Sequence, residues 1–143
     1  MHRTAAPLLL ILATGALAAE PEGDLKALQG VWVIEDAKLG GRDHKDDFAG
    51  MKLTVTGEKY VIDFAENSDK GAVTLGETEK PKQIDLTTRK DGPFKGRTLP
   101  GVYELKGDTV VLCLNSEKPD RPTKFEAPAK TPLMLLTFKR EKK

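Results

Sequence analysis

Leu28-Gln29-Gly30-Val31-Trp32-Val33-Ile34 is the stretch from which the rest of the chain takes its bearings. It carries the only tryptophan among 143 residues. That tryptophan stands on an apolar strand directly after a helical turn and a glycine. The turn, 24–28, has Asp24 in position to cap it. Strand one then runs from Val31 to Lys38, and Gly40-Gly41 with the polar residues 42–47 make a loop.

Downstream, short strands follow one another at close intervals. Met51-Lys52-Leu53-Thr54-Val55-Thr56 alternates apolar and polar, the period of a strand with one buried face. Gly57-Glu58 reads as a two-residue turn, because glycine supplies the positive φ that tight hairpins need. Lys59-Tyr60-Val61-Ile62-Asp63-Phe64 returns, with Tyr60, Ile62 and Phe64 inward. Residues 66–70 read as a polar turn and 71–75 as a short fourth strand. Gln83-Ile84-Asp85-Leu86-Thr87 alternates again. The longest connection is expected from Asp91 to Gly101. Val102-Tyr103-Glu104-Leu105 and the strand 109–114 then form a hairpin around Gly107-Asp108. Four prolines (Pro119, Pro122, Pro128, Pro132) leave little room for regular structure in 116–132, and 133–140 is the last strand. About eight short strands without a long helix predict an all-β, antiparallel up-and-down barrel with a short N-terminal helical turn. Eight strands enclose an interior that side chains just fill, or that holds one small ligand.

The first residues address the chain. His2 and Arg3 give a basic start, 7–13 is an apolar run, and Ala16-Leu17-Ala18 is a small-x-small cleavage site. Residues 1–18 therefore read as a signal peptide and 24–141 as the barrel domain. The expectation is export, to the periplasm or beyond the cell, with no membrane insertion once the leader is cleaved. The chain has 23 basic and 22 acidic residues, and losing Arg3 with the leader leaves the two in balance. Such a neutral surface argues against nucleic acid, whose phosphates demand a basic face. The single cysteine, Cys113, excludes an internal disulfide, so the exported domain must stabilise itself through its own core.

Two resemblances follow from particular residues. Gly30-Val31-Trp32 is similar to the Gly-x-Trp motif that opens strand one of lipocalins and related calycin barrels. In an even-stranded up-and-down barrel the last strand pairs with the first, so Arg140 falls beside Trp32 at the closed end. Lipocalins similarly lay an arginine across that tryptophan, a cation–π contact worth about 1 kcal/mol. More specifically, Leu28-Gln29-Gly30-x-Trp32, Lys80-Pro81-Lys82-x-Ile84-Asp85-Leu86, Gly92-Pro93-x-Lys95-Gly96, Tyr103-Glu104-Leu105-x-Gly107-Asp108-Thr109, Leu112-Cys113 and Arg121-Pro122-Thr123-x-Phe125 occur in that order. The pattern resembles a family of exported, lipocalin-like domains greatly expanded in planctomycete bacteria, which carries no assigned activity. The resemblance implies a barrel and export, and brings no catalytic residue.

Candidate chemistry is sparse. Cys113 lies in the apolar run Val110-Val111-Leu112-Cys113-Leu114 and reads as a small buried hydrophobe rather than a nucleophile. The other reactive side chain, His44, sits with Asp43, Asp46 and Asp47 in a loop whose spacing matches no calcium or zinc motif. Asp63, Asp85 and Glu104 fall on the solvent face by alternation, whereas the phase of Glu35 is open. No catalytic residue, metal site or cofactor is therefore assigned. Arg121, in a proline-rich segment, is expected to form an ion pair that pins the long loop to the barrel.

The inward set supplies the binding hypothesis. Tyr60, Ile62, Phe64, Ile84, Tyr103, Leu112, Met134 and Leu136 would line a pocket for an apolar or amphipathic molecule, with tyrosine hydroxyls as polar handles. Trp32 and Arg140 would close the opposite end. The expected function is thus non-catalytic binding of a small ligand by a monomer. The alternative is a protein-interaction or inhibitor module whose loops act on a filled barrel. A cavity above about 300 Å³ would favour the first.

Overall fold

A computed structural model describes residues 22–92 and 94–142; the predicted leader, 1–18, lies outside the described residues. The chain opens with helix α1 (Gly23–Leu28), followed by β1 (Gly30–Leu39), β2 (Arg42–Asp43), β3 (Lys52–Thr56), β4 (Lys59–Phe64), β5 (Asn67–Gly76), β6 (Gln83–Thr88), β7 (Thr98–Lys106), β8 (Thr109–Asn115) and β9 (Leu133–Arg140). Every sheet pairing is antiparallel between sequence neighbours, except that β1 takes β3 as well as β2 and closes onto β9. The result is an eight-stranded up-and-down barrel with β2 folded back along the end of β1. Closure removes the open edges that would otherwise offer unpaired backbone groups.

The alternation expected from the sequence is realised. Trp32 and the eight side chains expected to line the interior join one apolar core, with Ile62, Phe64 and Met134 packed partly buried against it. Strand β1 needs a correction to its period to do this. A register shift between Ile34 and Asp36 makes a bulge, so Glu35 turns to solvent and Ala37 and Leu39 face inward. Without that extra residue Asp36 and Lys38 would point into the core.

Two strands are longer than the sequence pattern suggests. Residues 66–70 are not a polar turn. The turn is Ala65-Glu66, and β5 starts at Asn67 and pairs with β4 along Asn67 to Ala72. Likewise the connection after β6 ends before Thr98 rather than at Gly101, and β7 pairs Thr98 to Val102 with β6. Pro100 is accommodated because pairing with β8 begins only at Gly101, so its missing N–H leaves no ladder partner waiting.

A second apolar layer lies outside the wall. Pro100, Val102 and Cys113 point away from the barrel interior yet are buried. The irregular segment 116–132 covers them, with Pro122 and Ala127 buried in turn. Arg121 pins this segment. Its Nη1 donates to the carbonyls of Ile84 (3.2 Å) and Gly101 (2.9 Å) and lies 2.9 Å from Asp85 Oδ1. The ion pair expected of Arg121 is therefore present, with Asp85 as its partner.

Candidate functional site

The two ends of the barrel are built differently. At the end where β1 starts, α1 lies across the opening and polar groups are tied together. Trp32 is fully buried, and its indole N–H donates to the Leu28 carbonyl at 2.9 Å. The Arg140 guanidinium lies 4.2 Å from the Trp32 ring centroid. It also donates to the carbonyls of Gln29 and Ala27, at 2.9 and 2.6 Å, and to Asp108 at 3.3 Å. Gly30 makes this approach feasible: its φ is +116°, and a Cβ there would stand 3.3 Å from Arg140 Nη1. The Gln29 side chain reaches the facing turn, accepting from the Gly57 N–H at 2.7 Å and donating to the Gly57 carbonyl at 3.0 Å.

Asp24 does not cap the helix. The helix begins one residue earlier, at Gly23, and its N-terminal neighbour Glu22 makes no side-chain cap bond. Glu77 instead accepts from the Asp24 N–H at 3.1 Å. The Asp24 carboxylate takes the Tyr103 hydroxyl at 2.7 Å and the Lys82 ammonium at 2.8 Å. Those two donors hold its pKa below the ordinary aspartate value, the Lys82 bond first, against the opposing pull of burial.

At the other end, where β1, β4, β6 and β8 finish, no helix among the described residues covers the opening. Leu39, Phe48, Ile62, Phe64, Phe94 and Met134 are only partly buried there. Phe48, from the loop after β2, packs edge-on against Phe64 with centroids 5.4 Å apart. A recess of about 220 Å³ between Leu39, Met134 and the 116–132 segment opens at this end. A second, of about 260 Å³, is lined by Ser68, Lys70, Arg89, Asp91 and Gly92.

Next to Gly92 of that second recess is the one inward-facing carboxylate of β5, since a Cβ on Gly92 would be 3.6 Å from Asp69 Oδ1. Asp69 is 8 % exposed and sits opposite Ile62 in the β4–β5 register. The Tyr60 hydroxyl donates to its Oδ2 at 2.9 Å, whereas Oδ1 is buried without a hydrogen-bond partner. Burial pushes the Asp69 carboxyl above its usual range, opposed by the Tyr60 hydroxyl and the Lys70 amide. Gly71 is what lets Tyr60 lie flat over β5: a Cβ at Gly71 would come within 2.9 Å of the Tyr60 ring and 2.0 Å of the Thr87 carbonyl.

The predicted lining residues divide accordingly. Ile62, Phe64 and Met134 reach the open end. Tyr60, Ile84, Tyr103, Leu112 and Leu136 are fully enclosed, each at 4 % exposure or less. The Tyr103 hydroxyl points to the closed end and is taken by Asp24, so it is no handle for a ligand at the mouth. Sequence reasoning missed Asp69, because Asn67-Ser68-Asp69-Lys70 reads as a turn. The signal that finds it is the inward phase of Val73 and Leu75 carried back by twos.

The reactive side chains are each engaged elsewhere. Cys113 Sγ lies 3.3 Å from the Glu126 carbonyl under the 116–132 segment, and burial pushes its thiol pKa up. His44 Nδ1 contacts Asp47 Oδ2 at 2.9 Å on the surface. On the outer wall, a groove of about 480 Å³ runs along β4, β5 and β6, floored by Gly71 and Ala72 and flanked by Lys59, Lys70 and Arg89. Another of about 260 Å³ lies beside α1, with Glu22, Glu58 and Glu77 along it. Among the described residues, no helix is long and apolar enough to cross a membrane. No protein-family model matches the chain, and no curated protein or solved structure matches it significantly.

Proposed function

We propose that the protein is an exported, non-catalytic, monomeric binding protein that takes a small apolar or amphipathic ligand at the open end of its barrel. The observation that supports this reading is the contrast between the ends. One is covered by α1 and tied by Arg140, whereas the other leaves Ile62, Phe64 and Met134 partly uncovered, with two recesses of about 220 and 260 Å³ at the rim that are each smaller than the expected cavity. Apolar surface with a few convergent polar groups is the usual make-up of a small-molecule site. The placement of Cys113 and His44 in separate surroundings supports a non-catalytic role.

Titration with a neutral apolar fluorophore, N-phenyl-1-naphthylamine, tests it. Saturable, blue-shifted fluorescence is expected, and Phe64→Glu, at the mouth, should abolish it while the circular dichroism spectrum is kept. Absence of saturable binding overturns the reading.

A second reading, a protein-interaction module on a filled barrel, draws support from the outer groove along β4–β6. It shifts the contact surface from the loops to the wall, since 116–132 is spent on covering Val102 and Cys113. Ala72→Glu, on the floor of that groove, should leave fluorophore binding intact under the first reading and abolish it if the dye sits on the wall.

A further inference from the structure

We propose, resting on the open-end ligand reading, that Asp69 is the polar anchor of that site and that the ligand is an amphipathic cation: a protonated amine on an apolar chain. The inference starts from the unpartnered Oδ1. A buried carboxylate oxygen without a donor is costly, and such groups in native folds call for a specific explanation. Asp85 Oδ1 is the other such oxygen among the described residues, but the Arg121 guanidinium stands 2.9 Å from it. Asp24 has both a hydroxyl and an ammonium, and Arg121 has two carbonyls and a carboxylate. Asp69 has the Tyr60 hydroxyl and the Lys70 amide, both neutral donors, and among the described residues no cation pairs with it.

What is missing around Asp69 is therefore one donor carrying positive charge, the part Lys82 plays at Asp24. A neutral hydroxyl would satisfy the oxygen, but only a cation would also compensate the carboxylate in its ionised form. A metal ion would need further oxygen, nitrogen or sulfur ligands. Among the described residues no group of three His, Cys, Asp or Glu side chains converges to provide them. An ammonium needs only one or two acceptors and fits the chemistry present.

Position supports access. Gly92 lines the recess at the rim, and a Cβ on it would be 3.6 Å from Asp69 Oδ1. The orphan oxygen thus lies behind Gly92, at the edge of a depression that Lys70, Arg89 and Asp91 also line. On its other side, Ile62 opposes Asp69 across the β4–β5 ladder and Phe64 follows two residues on, both partly uncovered. An ammonium at Oδ1 would leave its alkyl chain beside these side chains.

Calorimetric titrations at neutral pH with decylammonium, 1-decanol and decanoate test the inference on the wild-type protein, Asp69→Asn and Tyr60→Phe. Decylammonium should bind at least about tenfold more tightly than decanol, the worth of one charge-assisted hydrogen bond. Asp69→Asn should erase that preference and keep decanol binding. Tyr60→Phe should keep the preference, because it leaves the carboxylate in place. Within the wild-type protein, the Asp69 carboxyl carbon resonance should move on adding decylammonium and stay on adding decanol, so the test does not depend on the variants folding. Equal affinity for ammonium and alcohol, or a preference that survives Asp69→Asn, overturns the anchor and leaves the ligand reading standing. No binding of any probe overturns both.

Discussion

Two tyrosine–aspartate pairs, one toward each end of the same barrel, teach how context changes the effect of the same hydrogen bond. Tyr103 donates to Asp24 at 2.7 Å and Tyr60 donates to Asp69 at 2.9 Å. The first aspartate also has Lys82, and its pKa falls; the second is buried without a cation, and its pKa rises. In both pairs the tyrosine hydroxyl is pushed well above its ordinary range, chiefly by burial. Identical hydrogen bonds thus leave one carboxylate satisfied as an anion and the other in want of a partner.

The largest expected effect lies in the apolar closure. Trp32→Ala should cost roughly 3–5 kcal/mol of unfolding free energy in urea, because it empties a fully buried site and removes the ring beneath the Arg140 guanidinium. Phe64→Ala, at the partly uncovered end, should cost about 1–2 kcal/mol, since less area is removed from contact. Equal losses would erase the distinction between the ends.

The two aspartates sharpen it. Asp24→Asn should lower stability at neutral pH by about 1–2 kcal/mol through the weakened Tyr103 bond, with the exposed Lys82 adding little in salt. Because the folded pKa of Asp24 is depressed, its contribution is complete above the ordinary value of 3.8 and fades as pH falls through the folded value. The variant's deficit should therefore close in acid, which urea unfolding across a pH series would follow.

Asp69→Asn carries the opposite sign and the smallest magnitude. Its folded pKa is raised, so the native contribution is complete below 3.8 and lost as pH rises through the folded value. At neutral pH the neutral amide should leave stability unchanged or raise it by up to about 1 kcal/mol, by removing a buried charge. A loss equal to that of Asp24→Asn, seen in the same unfolding series, would mean that the two pairs do the same job.

The barrel was legible in the sequence because alternation, tight Gly-containing turns and Trp32 all point the same way. The contact between Trp32 and Arg140 followed from topology alone, since an even-stranded closed meander brings the last strand back beside the first. What the pattern hid had local causes. The polar start of β5 looks like a turn, since nothing apolar marks Asn67 to Lys70 as paired with β4. Pro100-Gly101 looks like loop because proline seldom enters a strand with neighbours on both sides. Cys113 was legible as buried, but not as covered from outside by 116–132. The candidate site suffered most: its apolar members Ile62, Phe64 and Met134 followed from phase, whereas Asp69 lay in the misread stretch. Hydroxyl direction, which separates Tyr60 from Tyr103, depends on which carboxylate the folded chain brings near.

The most direct measurement is amide chemical-shift mapping of the labelled protein during titration with decylammonium. The expected result is a set of shifts confined to the open end, centred on Ile62, Phe64, Asp69, Gly92 and Met134, with α1, Gly30 and Asp108 unmoved. Shifts centred instead on α1 and Arg140, or on the outer wall at Lys59, Ala72 and Thr87, would contradict a sealed end opposite a receptive one.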